Sequence, residues 1–118
     1  MMAPRSANDF LKDIIEWGER ASVYVKGMDF DTFARDLKTI DAVTRCVEVC
    51  GEAANQAGRI DPSILLAYPA FDVRSAYGMR NVLVHGYYNI VTRVLWNTVT
   101  ESLPEFVEIA RRILAERN

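Results

Sequence analysis

Between Phe30 and Ala54 apolar side chains recur at three- and four-residue steps, through Phe33, Leu37, Ile40, Val43, Val47 and Cys50. That spacing gathers them on one face of an α-helix on the order of six to seven turns long. A helix of that length cannot lie alone in water, because its apolar stripe must be covered by other helices or a sheet. The stripe runs close to a seven-residue repeat, which favours side-by-side helix packing over a steep crossing. With 118 residues, 50% hydrophobic and 25% charged, the chain has the profile of one folded domain, 1–118, with a core of its own.

The rest of the sequence reads as partners for that helix. Ser6 and Asp9 form a capping-box pattern, and Phe10, Ile14, Trp17, Ala21 and Tyr24 follow at helical spacing until a turn at Gly27. Gly58 closes the long helix, and Asp61-Pro62 opens a short one through Leu65 and Leu66. Pro69 interrupts, and Asp72 is placed to cap a further helix carrying Val73, Ala76, Tyr77 and Leu83 and stopping near His85-Gly86. From Val91 a last face runs through Leu95, Val99, Leu103, Phe106, Ala110 and Ile113, with Pro104 expected to kink or break it. No alternating strand pattern survives. The expected architecture is all-α: an up-and-down bundle of four main helices plus a short extra helix.

Charge and cysteine content narrow the function classes. Fourteen basic against sixteen acidic residues leave a formal net charge of −2, so any contact with a polyanion must be local. Eleven of the basic residues are Arg and three are Lys, a bias toward forked hydrogen bonds to carboxylate or phosphate. Cys46 and Cys50 fall in the apolar pattern and read as buried thiols, not a disulfide. With a single histidine and no Cys-x-x-Cys pair, no recognisable zinc-ligand set exists, and neither metal nor cofactor is expected. No stretch reaches the ~18 consecutive apolar residues of a spanning helix, so the expectation is a cytoplasmic protein without membrane contact.

Polar groups of catalytic type gather in one place, the segment from Met79 to Asn89, which holds the only histidine. Arg80 and His85 are five residues apart, about 140° in azimuth on a straight helix. Gly86 is expected to take positive φ just past the helix end, turning His85 toward Arg80 and sending Tyr87 and Tyr88 into a loop. An imidazole with an ordinary pKa of about 6.5 exchanges protons at neutral pH, and a guanidinium grips a phosphate in two directions. The pair suits phosphodiester cleavage without a metal, with a two-fold axis supplying the second histidine that separate acid and base roles require. The other reading is structural: Arg80 pairs with Asp72, Asp41 or Glu52, and His85 sits at a helix C-terminus favoured by the macrodipole.

With its surroundings included, the chain resembles the HEPN superfamily, and within it the HepT-like toxins that pair with minimal nucleotidyltransferase antitoxins. The resemblance is carried by Gly51-Glu52-Ala53, by Met79-Arg80-Asn81 followed by His85-Gly86-Tyr87, and by Val94-Leu95-Trp96 followed by Leu103-Pro104-Glu105. It departs from the family pattern at Asp72-Val73, where relatives often carry Pro-Trp, and at Val91, where they often carry an acid.

The resemblance implies a homodimeric, metal-independent endoribonuclease, the toxin of a type VII toxin–antitoxin pair. Arg80, His85 and Tyr87 match the Arg-x4-His-x-Tyr motif, with Arg80 and His85 acting on the RNA, whether tRNA or mRNA. Tyr87 is the implied acceptor of AMP from the nucleotidyltransferase partner, a modification that would oppose the RNA backbone by charge. Asn81 and Glu52 are supporting residues, and Tyr88 a packing or rim residue. The alternative is a catalytically inactive helical adaptor that docks the nucleotidyltransferase.

Overall fold

The computed structural model describes residues 3–117. Seven α-helices follow one another: α1 (Ala7–Val25), α2 (Phe30–Ala34), α3 (Leu37–Ile60), α4 (Ser63–Ala67), α5 (Val73–His85), α6 (Thr92–Asn97) and α7 (Leu103–Arg117). No strand occurs among the described residues. α3 lies at the centre, packed between α1 and α5, while α7 covers the other side of α1. With α6 and α7 taken as one interrupted helix, the expected all-α bundle of four main helices stands. No helix among the described residues is long and apolar enough to cross a membrane.

The start of each helix follows local chemistry. At α1 the Ser6 hydroxyl accepts from the Asp9 amide and the Asp9 carboxylate from the Ser6 amide, at 3.2 and 2.8 Å. Asp72 caps α5 by accepting from the Ser75 amide at 3.0 Å and the Ser75 hydroxyl at 2.7 Å. The departure from Pro-Trp at Asp72-Val73 therefore leaves a working cap. Gly27, at φ 79°, provides the left-handed turn after α1.

Three expectations change. The long second helix is two helices, because Asp36 turns its carboxylate onto the Thr39 amide at 3.0 Å and starts α3 afresh. The break frees α2 to lay Phe30 and Phe33 against Trp96, with ring centroids 6.4 and 5.0 Å away, and it leaves Leu37, expected on the apolar face, 74% exposed. The buried stripe of α1 is rotated from the expected one to Ala7, Leu11, Ile14, Gly18, Ala21 and Val25, with Phe10 and Trp17 at its margins. Small residues occupy the middle because two helices press on α1, and the aromatics cover the rims, Arg5 lying over Phe10 and Arg20 over Trp17. Gly58 does not end α3, which continues to Ile60.

The interruption expected at Pro104 takes the form of a π-helical turn, Thr98–Ser102, in which the Leu103 amide reaches back to the Thr98 carbonyl. Proline has no N–H to give and its ring crowds the carbonyl four residues earlier, so the wider turn relieves both problems without ending the helix. Leu95, Val99, Leu103, Val107, Ala110 and Ile113 consequently keep one continuous buried face.

Cys46 and Cys50 are buried free thiols. The Cys50 thiol faces the Ile14 carbonyl at 3.7 Å, and burial pushes its pKa up to about 12.

α1 meets α7 at Gly18, where a Cβ would stand 2.2 Å from Val107 Cγ2. Gly18→Ala should therefore destabilise the protein by about 1–3 kcal/mol. In thermal or urea denaturation most of that loss should be recovered in the double variant with Val107→Ala, since the two sites share one contact.

Candidate active site

The site begins with a glycine. A Cβ on Gly51 of α3 would lie 2.5 Å from the Ala76 carbonyl oxygen and 2.6 Å from Arg80 Cβ. Backbone meets backbone here, so α5 rests directly on α3 and Arg80 leaves α5 beside the next residue of α3, Glu52. The guanidinium Nε lies 3.6 Å from Glu52 Oε2, and Nη1 donates to Asn81 Oδ1 at 2.9 Å. Glu52 is itself held from behind by the Gln56 amide, which donates to Oε1 at 3.0 Å. Asn81 thus holds the guanidinium by a hydrogen bond, while Glu52, itself held by Gln56, faces it as an ion pair. The Tyr77 ring lies 5.7 Å from Arg80 Cζ.

Arg80 lines a groove of about 280 Å³ walled by α1, α3 and α5, together with Arg5, Phe10, Asp13, Arg45, Glu48, Val49, Glu52, Ala53 and Val84. A chain of net charge −2 that grips a polyanion is expected to gather arginines such as Arg74, Arg45 or Arg93 around Arg80, and of these only Arg45 is among the residues lining the groove. Arg93 lies over the Phe30 ring at 3.5 Å, and neither it nor Arg74 lines the groove. A larger cleft of about 450 Å³ lies between α3, α5 and α7, lined by residues such as Val47, Met79, Leu103 and Phe106. None of the candidate residues reaches it.

His85 occupies the last turn of α5 and is exposed, one residue beyond Val84 at the groove. Within one chain the structure joins Arg80, Asn81 and Glu52 but does not bring His85 into their hydrogen-bond chain. The expected left-handed conformation at Gly86 is absent: φ is −112° and ψ 28°. Its amide still donates to the Val82 carbonyl at 2.8 Å, and its own carbonyl accepts from Asn89 at 2.8 Å, so the chain passes straight into a 3₁₀ turn at Tyr87–Asn89. Glycine is suited to this position because a Cβ would stand 2.9 Å from the Val82 oxygen.

Tyr87 and Tyr88 project from that turn, 73% and 79% exposed, their rings edge-to-face at 5.7 Å. Of the two readings of Tyr88, packing or rim, its exposure leaves the rim. Val82, Val84, Val91 and Val94 are exposed around the same end of the fold, and Val91 stands where relatives often carry an acid. No group of three or more His, Cys, Asp and Glu among the described residues could hold a metal ion.

The family described as Ribonuclease HepT-like matches residues 11–113. The chain belongs to this HepT-like family, within the HEPN superfamily. Similar proteins include a probable ribonuclease HepT of Thermococcus cleftensis, 36% identical over 85% of this chain and 88% of the relative. Two putative RNases of Methanocaldococcus jannaschii are each 30% identical over 98% of this chain, covering 93% and 97% of their own lengths. No solved structure matches the chain. Gln56 is the residue that sequence reading did not assign to the site, and its spacing from Glu52, four apart on a helix, is the signal that could have found it.

The Arg80–Glu52 pair is open to water, with the side chains 25% and 41% exposed, so its net contribution to stability is small. Arg80→Ala keeps the Cβ that meets α3 and should cost about 1 kcal/mol or less in denaturant titration. A loss of several kcal/mol would mean that Arg80 serves the bundle and not a site.

Proposed function

We propose that this HepT-like protein is an endoribonuclease that cleaves RNA by internal transesterification, using Arg80 and His85 without a metal ion. The observation that carries the reading is Arg80 itself: a guanidinium hydrogen-bonded to Asn81 and ion-paired with Glu52, partly open to a groove, about one and a half helical turns from an exposed imidazole. A guanidinium so held is preorganised for a phosphate, and an exposed imidazole is available for proton transfer. The names of its relatives, a probable ribonuclease and putative RNases, support the same reaction class.

In the proposed reaction His85 takes the proton from an RNA 2′-hydroxyl. The 2′-oxygen forms a bond to phosphorus as the bond to the 5′-oxygen breaks, and Arg80 stabilises the charge on the phosphoryl oxygens. The departing 5′-oxygen takes a proton from a second imidazolium. A homodimer supplies that group as His85 of the partner subunit, and the exposed apolar residues Val82, Val84, Val91 and Val94 beside the motif support an interface there. Products are a 2′,3′-cyclic phosphate and a free 5′-hydroxyl.

Tyr87 is the proposed switch. Its phenol oxygen, on an exposed ring, attacks the α-phosphorus of ATP bound by a nucleotidyltransferase antitoxin. A bond to AMP forms, pyrophosphate leaves, and the phenolic proton is lost to solvent. The added anion at the end of α5 repels RNA and blocks the approach to His85.

Purified protein should degrade RNA, and His85→Ala or Arg80→Ala should lower the rate by about 10²-fold or more. Equal cleavage by wild type and His85→Ala overturns the mechanism. A chain that leaves RNA intact while holding its nucleotidyltransferase tightly is an adaptor. Co-expression with that enzyme should add the mass of AMP to the wild type and none to Tyr87→Phe, as read by intact mass spectrometry.

A further inference from the structure

Three guanidinium groups share the groove between α1, α3 and α5, and they are not equally free. Arg5 is engaged: it donates to Asp13 at 2.7 Å and to the Asp9 carbonyl at 3.3 Å, and it lies over the Phe10 ring. Arg80 is held by Glu52 and Asn81. Arg45 differs from both. Its side chain is 68% exposed, and its ion pair with Glu48 in the next turn of α3, at 3.7 Å, is as loose as that of Arg80 with Glu52, but it has no counterpart to the hydrogen bond that Arg80 gives Asn81. Among the described residues it makes no side-chain hydrogen bond. It is the uncommitted cation of the groove.

Its position along α3 gives that freedom a direction. Seven residues separate Arg45 from Glu52, the carboxylate that Arg80 faces, which is about 10 Å along one face of the helix. Arg45 and Arg80 therefore stand on one groove, Arg45 about two turns of α3 away from the carboxylate that Arg80 faces. The acids between them are accounted for differently. Asp13 is neutralised by Arg5, and Glu52 is bound by Gln56 and Arg80. Glu48, half-buried behind Arg45 and loosely paired with it, is the one that competes with an incoming phosphate.

We infer that this groove carries the RNA strand beside the scissile phosphate, and that Arg45, outside the family motif, binds a flanking phosphate in exchange for Glu48. Arg45 contributes to holding substrate and takes no part in bond breaking. The inference rests on the ribonuclease reading above and extends it to the path of the strand.

The test uses the full chain and fluorescein-labelled single-stranded oligoribonucleotides of random sequence, bound to the His85→Ala protein so that the probe stays intact. Arg45→Ala should weaken binding roughly tenfold and reduce the slope of log affinity against log salt by about 0.7. Arg45→Lys should keep that slope. Glu48→Gln should tighten binding, an outcome no purely structural role of the pair produces. On the cleaving protein, Arg45→Ala should raise KM and leave kcat within about twofold. Because Arg45 is exposed, thermal melting should be unchanged and serves as the folding control.

Binding and salt slope unaltered in Arg45→Ala overturn the inference and leave the ribonuclease reading standing. Absence of RNA binding by the His85→Ala protein overturns it as well. Arg45-dependent binding with no cleavage by the wild type overturns the ribonuclease reading alone.

Discussion

The contact of α3 with α5 at Gly51 governs everything at the candidate site. A single added carbon there would collide with a backbone carbonyl at 2.5 Å, and a carbonyl cannot swing aside as a side-chain tip can. The two backbones therefore meet, and Arg80 emerges level with Glu52. That separation brings Glu52 of α3 to 3.6 Å from Nε, while Asn81, the next residue on α5, receives Nη1. The guanidinium is thereby ordered by neighbours that leave it half-open to the groove, which is the condition for preorganised binding of an anion.

The bundle uses the same device twice. Gly18 allows α7 onto α1 as Gly51 allows α5 onto α3, and Ala53, Ala54 and Ala57 line the buried faces of the central helix. Small residues in the middle, with Phe10, Trp17 and Phe106 nearer the margins, bring the helix axes close and let dispersion contacts accumulate along their length. Phe71 stacks on Phe106 with centroids 4.7 Å apart, anchoring the segment just before α5 to α7. The orientation of α5 is thus set at its start by this stack and along its length by α3.

Charge is distributed with similar economy. The chain is slightly acidic overall, and most of its arginines are engaged locally: Arg117 with Asp61 and Asn8, Arg111 with Glu19 and Glu108, Arg5 with Asp13. Such pairs remove cationic field from most of the surface, so a lightly engaged arginine beside an ordered one has more influence than the net charge suggests. In the proposed reading, a polyanion finds the site by these few groups.

Much of the fold was legible in the residues because helix spacing, caps and proline are local. Ser6 with Asp9, Asp72, the buried face from Leu95 to Ile113 and the interruption near Pro104 all follow from interactions within a turn or two of chain. The motif residues were legible too, since a lone histidine and an arginine in an apolar segment stand out. What periodicity could not show was which of two adjacent faces of α1 is buried, or that Asp36 divides a continuous apolar stripe. The first depends on what packs opposite, Val107 among others, and the second on a cap from Asp36 to Thr39 that the unbroken apolar spacing masked. The conformation of Gly86 was likewise decided by hydrogen bonds to Val82 and Asn89. Sequence alone determined the helices, their order and the chemistry available to them. Tertiary structure decided which charges meet, Arg80 with Glu52 and Arg45 on the same groove, because residues distant in the chain become neighbours only when helix backbones settle at a distance their smallest side chains permit.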